Sequence, residues 1–467
     1  MRPHIVLLCA CLLLLAQCLL FSSTRFVEDE GWNSDVSLTW MREGHLRMSS
    51  FPTDFTNKLD ARPPLLAFAM GESFRLFGTG VLQARLSSIL AGIGVVIVGF
   101  LLGWEIGGPW VAWITAIFLA CDNFLLITAR SARPEPHTTL FATLGLLLYY
   151  KRRPLLAGLA IGVAVDFHPL GIGFAAAIGL LMLMDANPKR ILAYGAGLVI
   201  AIAPYAFWLA SDDLHRAGFR ATYMSRAVES SFLHRVAGEI SRLSDFVGLG
   251  NQRVPLPFHI PYRLHIAVIV AAALIYLIRK RPGIAVILGV NFFWWVFMVN
   301  KSPRYITALT PIFAVAVASA LVALGANQRW RTAAVAIGVI FAGTQLAGNA
   351  FLLYRYRTAD YEAVARQLRE VVPPGQSVYG ITTFYLAMND RPYYSYDRTP
   401  LDYAVNHLHA RYLILYDRVM MHGSGHGEDN FAQLRWQAAD FVKDHATLAG
   451  RVSNDFYGNL EVYRVNE

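Results

Sequence analysis

Cysteine is scarce in this chain and charge is thin. Its 467 residues hold four cysteines, Cys9, Cys11, Cys18 and Cys121, all inside apolar segments. None sits in a CxxC pair or at a Cys/His ligand spacing, so neither a disulfide framework nor a structural zinc site is expected. Charged residues make up 16% of the chain, against about 25% in soluble domains. Internal repeats and low-complexity tracts are missing as well. The net charge of +9 is gathered in short clusters between apolar runs. It forms no basic stripe interleaved with aromatics, which argues against nucleic acid as a partner.

What is there is hydrophobic length. Hydrophobic residues reach 55% and the mean hydropathy is +0.41. Apolar runs recur from end to end at the length that a bilayer of about 30 Å demands. The runs read as spans are Ile5–Phe21, Val81–Trp104, Trp110–Ala129, Thr138–Tyr150, Leu155–Val165, Leu170–Met184, Ile191–Ala210, Leu264–Ile278, Gly283–Val299, Ile306–Leu324 and Thr332–Leu353. Leu15-Ala16-Gln17-Cys18 lacks the small residue of a lipoprotein cleavage site at Gln17, so the first run reads as an uncleaved signal anchor. Leu65–Gly78 carries Glu72 and Arg75 and is short. It reads as an amphipathic helix lying in the interface.

The positive-inside rule fixes the orientation. With this set of spans, Lys151-Arg152-Arg153, Lys189-Arg190, Arg279-Lys280-Arg281 and Arg329/Arg331 all fall on the cytoplasmic side. Glu28-Asp29-Glu30, Arg130 to Glu135, Asp166-Phe167-His168-Pro169, the Ser211–Tyr262 loop and Lys301 to Arg304 all fall outside. The expected architecture is a polytopic α-helical membrane protein of about eleven transmembrane helices, residues 1–353. Interfacial helices are expected in its first outer loop, 22–80. A small α/β domain, 354–467, follows on the outer face. In that domain Ala359–Glu370 and Phe431–Lys443 read as helices, and Ser377–Tyr379, Tyr412–Tyr416 and Leu460–Val465 as strands. Gly423-Ser424-Gly425-His426-Gly427 lacks a strand-turn-helix context and reads as a surface loop, not a dinucleotide site.

The centres of the spans are almost free of charge, and the ionisable residues collect at span ends on one face. A transporter or pump places such groups near the midplane, so the pattern favours a site at the outer interface. Asp29 and Glu30 are either a hydrated pair beside the anchor or carry a general base for an acceptor hydroxyl. Arg62 precedes Pro63-Pro64, a favoured helix start, and is either a snorkelling residue or an anion ligand. Arg130 and Arg133 sit where topology disfavours positive charge and call for an anionic partner. Lys301 and Arg304 repeat that pattern, with lipid headgroups or a phosphate as the partner. His137 and His168 read as structural or helix-end residues.

Asp29-Glu30, Arg62-Pro63-Pro64-Leu65-Leu66, Leu76-Phe77-Gly78, Arg85-Leu86-Ser87-Ser88, Ala132-Arg133-Pro134-Glu135 and Pro303-Arg304-Tyr305 with Pro311 occur in this order. In that order the chain resembles the C-type membrane glycosyltransferases that use polyprenyl-phosphate-linked sugars. The nearest branch is the group of lipid A aminoarabinose transferases and protein O-mannosyltransferases. The resemblance spans roughly residues 1 to 325. It implies Asp29 and Glu135 as catalytic, Arg62 at the donor phosphate, and Arg304 and Tyr305 near the donor. The reading built on it adds Arg133 and Lys301 to Arg62 and Arg304 at the donor phosphate, and sets Glu30, Tyr305 and His168 at the substrate. No cofactor is required by it, and a divalent metal is possible. The implied partners are a polyprenyl-phosphate-sugar lipid, membrane lipids and an envelope glycan, lipid or protein acceptor, at the cell (inner) membrane with the site extracytoplasmic.

Three departures bear on specificity. Glu stands at 135 where the family usually has Asp. Asp60-Ala61 precedes Arg62 where that branch tends to have Glu. Asp166-Phe167-His168-Pro169 stands where it often has Lys-Gly-Pro. A transporter or flippase of a lipid-linked substrate, with room in glycine-rich spans such as Ile191–Ala210, is the competing reading. A non-catalytic assembly partner is a third, which the retained Asp29 and Glu135 disfavour.

Overall fold

The computed structural model describes residues 3–20, 22–51, 63–211, 213, 216, 231–246, 263–297, 302–396, 399–416 and 440–466. Arg62, Lys301, the Gly423 to Gly427 loop and most of the expected helix at 431–443 lie outside the described residues.

The apolar runs fold as helices. They are α1 (Pro3–Leu19), α4 (Val81–Gly107), α5 (Pro109–Cys121), α6 (Asn123–Ala129), α7 (Glu135–Tyr150), α8 (Pro154–Phe167), α9 (Leu170–Met184) and α10 (Pro188–Ala210). After α11 (Phe232–Phe246) come α12 (Leu264–Lys280), α13 (Gly283–Phe297), α14 (Thr310–Gly325) and α15 (Arg331–Arg355). Proline opens α5, α8, α10 and α14, where its missing N–H costs nothing and its φ is already helical. Among the described residues four helices are long and apolar enough to cross a membrane, or five when α5 and α6 are taken as one bent span. Several more are apolar but shorter.

The expected single span Trp110–Ala129 is broken. Asp122 leaves the helical conformation, and its carboxylate caps α6 by accepting from the Leu125 N–H at 2.8 Å. The two halves meet at 58°. Polar side chains fill the bend. Asn123 donates to Asn349 and to the Gln345 carbonyl (2.6 Å), and Asn349 donates to Gln17 Oε1 at 2.7 Å. Elsewhere the bundle is close-packed around apolar side chains. α8 and α10 cross at Gly158 and Gly197, where a Cβ would lie 2.1 Å from the Tyr194 carbonyl and 2.2 Å from the Leu155 carbonyl. Small residues at such crossings let membrane helices approach through their backbones.

The loop after α1 carries two helices, α2 (Glu28–Glu43) and α3 (Leu65–Phe77). α3 is a helix where Leu65–Gly78 was expected to form one. Beyond the bundle come α16 (Tyr361–Val371), a short α17 (Leu401–Asn406) and five strands, β1 (Val378–Gly380), β2 (Tyr393–Ser395), β3 (Tyr412–Tyr416), β4 (Ala446–Asn454) and β5 (Gly458–Val465). The sheet order is β2-β1-β3-β5-β4. β1 runs parallel to β2 and β3, while β5 runs antiparallel to β3 and β4. The expected α/β unit is therefore present, with β2 and β4 added.

This unit shares its core with the loop after α1. Phe26, Leu38, Leu66, Met70 and Phe74 pack in one cluster with Tyr361, Val364, Leu368, Phe384 and Tyr457. Polar contacts follow the same seam. Trp32 Nε1 donates to Thr382 Oγ1 at 3.0 Å, and Tyr457 OH donates to the Phe26 carbonyl at 2.9 Å. Asp35, wholly buried in α2, accepts from the N–H groups and hydroxyls of Ser49 and Ser50.

Candidate active site

The site forms where α2, the turn before α7 and the turn before α14 meet. α2 begins at Glu28, which places Asp29 and Glu30 in its first turn. The two neighbours point to different partners.

Glu30, third in the helix, accepts from the Val27 N–H at 3.2 Å. That is the reach-back half of a capping box; Val27 offers no oxygen for the other half. Both Glu30 oxygens also meet the Arg85 fork, Nε to Oε1 at 2.8 Å and Nη2 to Oε2 at 3.0 Å. The Ala132 N–H adds a further bond to Oε1 at 2.9 Å. With a side chain 1% exposed, Glu30 is committed to holding the Arg133 turn against α2 and α4. Of the two acids, it is the one the fold uses as a brace.

Asp29 is 40% exposed and reaches two arginines. Its Oδ2 accepts from Arg133 Nη1 and, at 2.9 Å, from Arg304 Nη1. Arg133 also forks onto Glu135, Nη2 to Oε1 at 2.7 Å and Nε to Oε2 at 3.2 Å. The Arg133 turn is pinned from behind by Ser88, whose hydroxyl donates to the Arg133 carbonyl at 2.9 Å. The result is a chain of alternating charge, Glu135 to Arg133 to Asp29 to Arg304. It joins residues 29, 133, 135 and 304 in one cluster that opens to solvent at Asp29.

Glu135 is fully buried, ahead of the apolar run of α7. Burial disfavours its charged form, but the Arg133 charge and its hydrogen bonds outweigh that and hold the carboxyl below its usual range. α7 separates Glu135 at one end from Lys151 past the other. The acidic site and that basic turn therefore sit at opposite ends of the helix, as the charge pattern implies.

Tyr305 is buried beside the charged chain and packs at 5.2 Å from the His168 ring. His168 Nδ1 accepts the Leu170 N–H at 3.1 Å and so helps start α9. His137 is buried and stacks on Phe167 at 4.5 Å. Among the described residues no group of three His, Cys, Asp or Glu is placed to hold a metal ion. Two residues escape a reading of the sequence by charge pattern. Arg85 lies within an apolar run, and Arg25 follows the anchor alone. The one signal for Arg85 is its place in the Arg85-Leu86-Ser87-Ser88 motif.

The family model for dolichyl-phosphate-mannose-protein mannosyltransferase matches residues 57–186. An uncharacterized protein of Aquifex aeolicus (strain VF5) is 26% identical over 180 residues, which is 36% of each chain. The match thus spans about a third of that curated relative. The crystal structure of ArnT from Cupriavidus metallidurans bound to undecaprenyl phosphate superposes with a TM-score of 0.67 at 13% identity, covering 99% of this chain and 98% of that one. The Archaeoglobus fulgidus oligosaccharyltransferase in complex with Zn and sulfate gives 0.54 at 14% identity, over 88% of this chain and 68% of that one. At such identities the likeness is one of fold. The chain thus shares the fold of these solved membrane glycosyltransferases, and residues 57–186 resemble the mannosyltransferase family.

Proposed function

We propose that the chain transfers a sugar from a polyprenyl-phosphate-sugar donor to a hydroxyl of an envelope glycan, lipid or protein, at the extracytoplasmic face of the cell (inner) membrane. The observation that carries this is a half-exposed carboxylate held between two arginines, Asp29 between Arg133 and Arg304. About eleven spans hold the donor's lipid tail. The unit at 354–467 lies on the outer face with the site.

In this reading the donor phosphate binds Arg304 and Arg133, joined by Arg62 and Lys301. The phosphate competes with Asp29 for the same N–H donors and releases the carboxylate toward the acceptor. Asp29 takes the proton of the acceptor hydroxyl as its oxygen attacks the anomeric carbon. The bond from that carbon to the phosphate oxygen breaks, and its electron pair stays on the polyprenyl phosphate. The guanidinium groups stabilise that charge. A single displacement inverts the anomeric carbon. Glu135 acts through Arg133, fixing where the guanidinium stands. Tyr305 and His168 wall the sugar. The arginines supply the positive charge, so the reading needs no cofactor, although a divalent metal at the acids is compatible with it.

Asp29→Asn in the purified enzyme, supplied with donor and acceptor, is expected to lose about 10²–10⁴ in turnover at an unchanged thermal midpoint. Near-normal turnover would remove Asp29 from the chemistry. Sugar transfer in step with donor consumption and without lipid translocation separates this reading from a transporter.

A further inference from the structure

A polar cleft that the proposed chemistry does not use opens where α4 begins. Thr79 and Gly80 form one side, and Glu362, Arg369, Asn389 and Asp390 the other. Its volume is about 210 Å³. That is below the ~300 Å³ at which sites for drug-sized ligands start, and it suits a single sugar ring. α4 is long and apolar enough to cross a membrane, so the turn at its start lies at headgroup level. Leu76 and Phe77, both exposed just before that turn, suit the same level.

The cleft is tied to the frame that holds Asp29. Arg85 lies one turn of α4 beyond Val81, about 6 Å along the axis, and braces Glu30. α16 is joined to the chain that enters α2, where the Tyr361 N–H donates to the Ser23 carbonyl at 3.1 Å. At the other wall Arg42, in the last turn of α2, donates to the Asn389 carbonyl at 2.8 Å and to its Oδ1 at 2.7 Å. A ligand in the cleft touches the elements that position the site.

The charges in the cleft balance, and part of their bonding capacity is uncommitted. Glu362 and Arg369 lie seven residues apart on α16, two turns or about 10 Å. Among the described residues they make no ion pair with each other. Glu362 spends Oε1 on the Val81 N–H at 3.4 Å, and Arg369 spends Nε on the Ala387 carbonyl at 2.8 Å. That leaves one carboxylate oxygen and two terminal guanidinium nitrogens, with the Thr79 hydroxyl on the facing side. Arg391 forks onto Asp390, with both bonds at 2.9 Å, and holds that carboxyl below its usual range. Glu362 and Asp390 repel an anion, and Arg369 repels a cation. A neutral polyol suits both signs, since its hydroxyls donate to a carboxylate and accept from a guanidinium.

We propose that this cleft binds one neutral sugar residue of a glycan, remote from the hydroxyl that reacts. Joined to the sugar transfer proposed above, on which this second step rests, it makes the acceptor a glycan chain and not a bare protein hydroxyl. Contact far from the reacting group holds such a chain while the Asp29 site acts on another of its residues. Sugar binding in the cleft does not itself depend on transfer.

The test uses full-length protein in phosphatidylcholine nanodiscs, free of sugar-headed detergent. Saturation-transfer NMR is recorded with maltose, cellobiose, lactose and α-1,6-mannobiose. At least one is expected to bind the parent. Glu362→Gln, which keeps an acceptor for the Val81 N–H, should weaken it about tenfold, as loss of one charged hydrogen bond does. Thr79→Trp, at an exposed position, should fill the cleft and abolish it. Asp29→Asn should leave it unchanged, and all variants should keep the parent's thermal midpoint. In transfer to a glycan acceptor, Thr79→Trp should raise the acceptor KM about tenfold or more at an unchanged kcat. Two results overturn the proposal. In one, no disaccharide binds the parent. In the other, the parent and Thr79→Trp bind alike. Binding that Thr79→Trp abolishes, in a parent that transfers no sugar, keeps the cleft and removes only the transferase reading.

Discussion

Glu30 and Arg85 meet as a two-pronged ion pair, at 2.8 and 3.0 Å, with side chains 1% and 3% exposed. Arg85 further donates to the Ser22, Thr24 and Arg25 carbonyls at 2.7, 2.9 and 3.1 Å. One guanidinium on α4 therefore fixes both the chain leaving α1 and the first turn of α2. The exposed Asp29 owes its position to the buried pair next to it.

Removing one partner strands the other charge. Arg85→Leu and Glu30→Leu are each expected to cost about 3–5 kcal/mol, the range for breaking a buried pair. The double replacement should recover only part of this, because the three carbonyls stay without their donor. Thermal unfolding of the purified variants in detergent measures it. A single variant with the parent's midpoint would show that the pair is not a brace.

Glu135 sets a pH dependence. Its folded carboxyl lies below its unfolded value, through Arg133 acting against burial. A depressed acid stabilises the fold above its unfolded pKa, and that contribution is lost as pH falls through the folded one. The thermal midpoint should therefore hold near neutrality and drop once pH passes below about 4.3, the unfolded value. Glu135→Gln should start lower at pH 7 and fall less steeply through the acid range. Parallel curves for the two proteins would rule Glu135 out as the source.

The charged chain was legible from sequence because topology made its parts conspicuous. Arg133 and Arg304 stand at span ends where the expected topology disfavours positive charge, and that topology puts Asp29 on the same side. Glu30 was not separable from Asp29, because its partner Arg85 is a lone charge at the start of an apolar run 55 residues on. α2 was hidden for a related reason. It buries Ser34, Asp35, Ser37 and Thr39, so its inner face shows no apolar periodicity to read. The break at Asp122 looked like part of one span because a single capping carboxylate does not interrupt the hydropathy. β4 escaped because most of its residues are exposed or half-buried, as suits an edge strand.

Gly31 tests the contact between α2 and the sheet unit. A Cβ there would lie 2.3 Å from the Thr382 carbonyl oxygen and 2.8 Å from its carbon. Backbone cannot swing aside as a long side chain can, so Gly31→Ala must push α2 and residues 382–383 apart. Overpacking of this kind costs about 1–3 kcal/mol. Asp29 lies half a turn away and should shift with the helix, so turnover is expected to fall further than stability alone requires. Measuring kcat below the onset of unfolding separates the two. A fully active, equally stable Gly31→Ala would mean that the contact is loose in solution.

Removal of the chain from Ala359 onward asks more of the same seam. The truncation deletes Tyr361, Val364, Leu368, Phe384 and Tyr457, and thereby uncovers Phe26, Leu38 and Phe74, all buried to within 2% exposure. It also removes the Ala359 carbonyl that holds Arg25 and the Thr382 hydroxyl that holds Trp32. α2 has little apolar surface of its own with which to rebuild a core. The shortened protein should still insert, since its apolar helices precede the cut, but it should lose transfer and expose the 22–51 loop to protease. Supplying the detached 359–467 segment in trans should restore neither, because the shared core forms only when both parts fold together. Full transfer by the truncated chain would make the unit at 354–467 an accessory to the site rather than one of its walls.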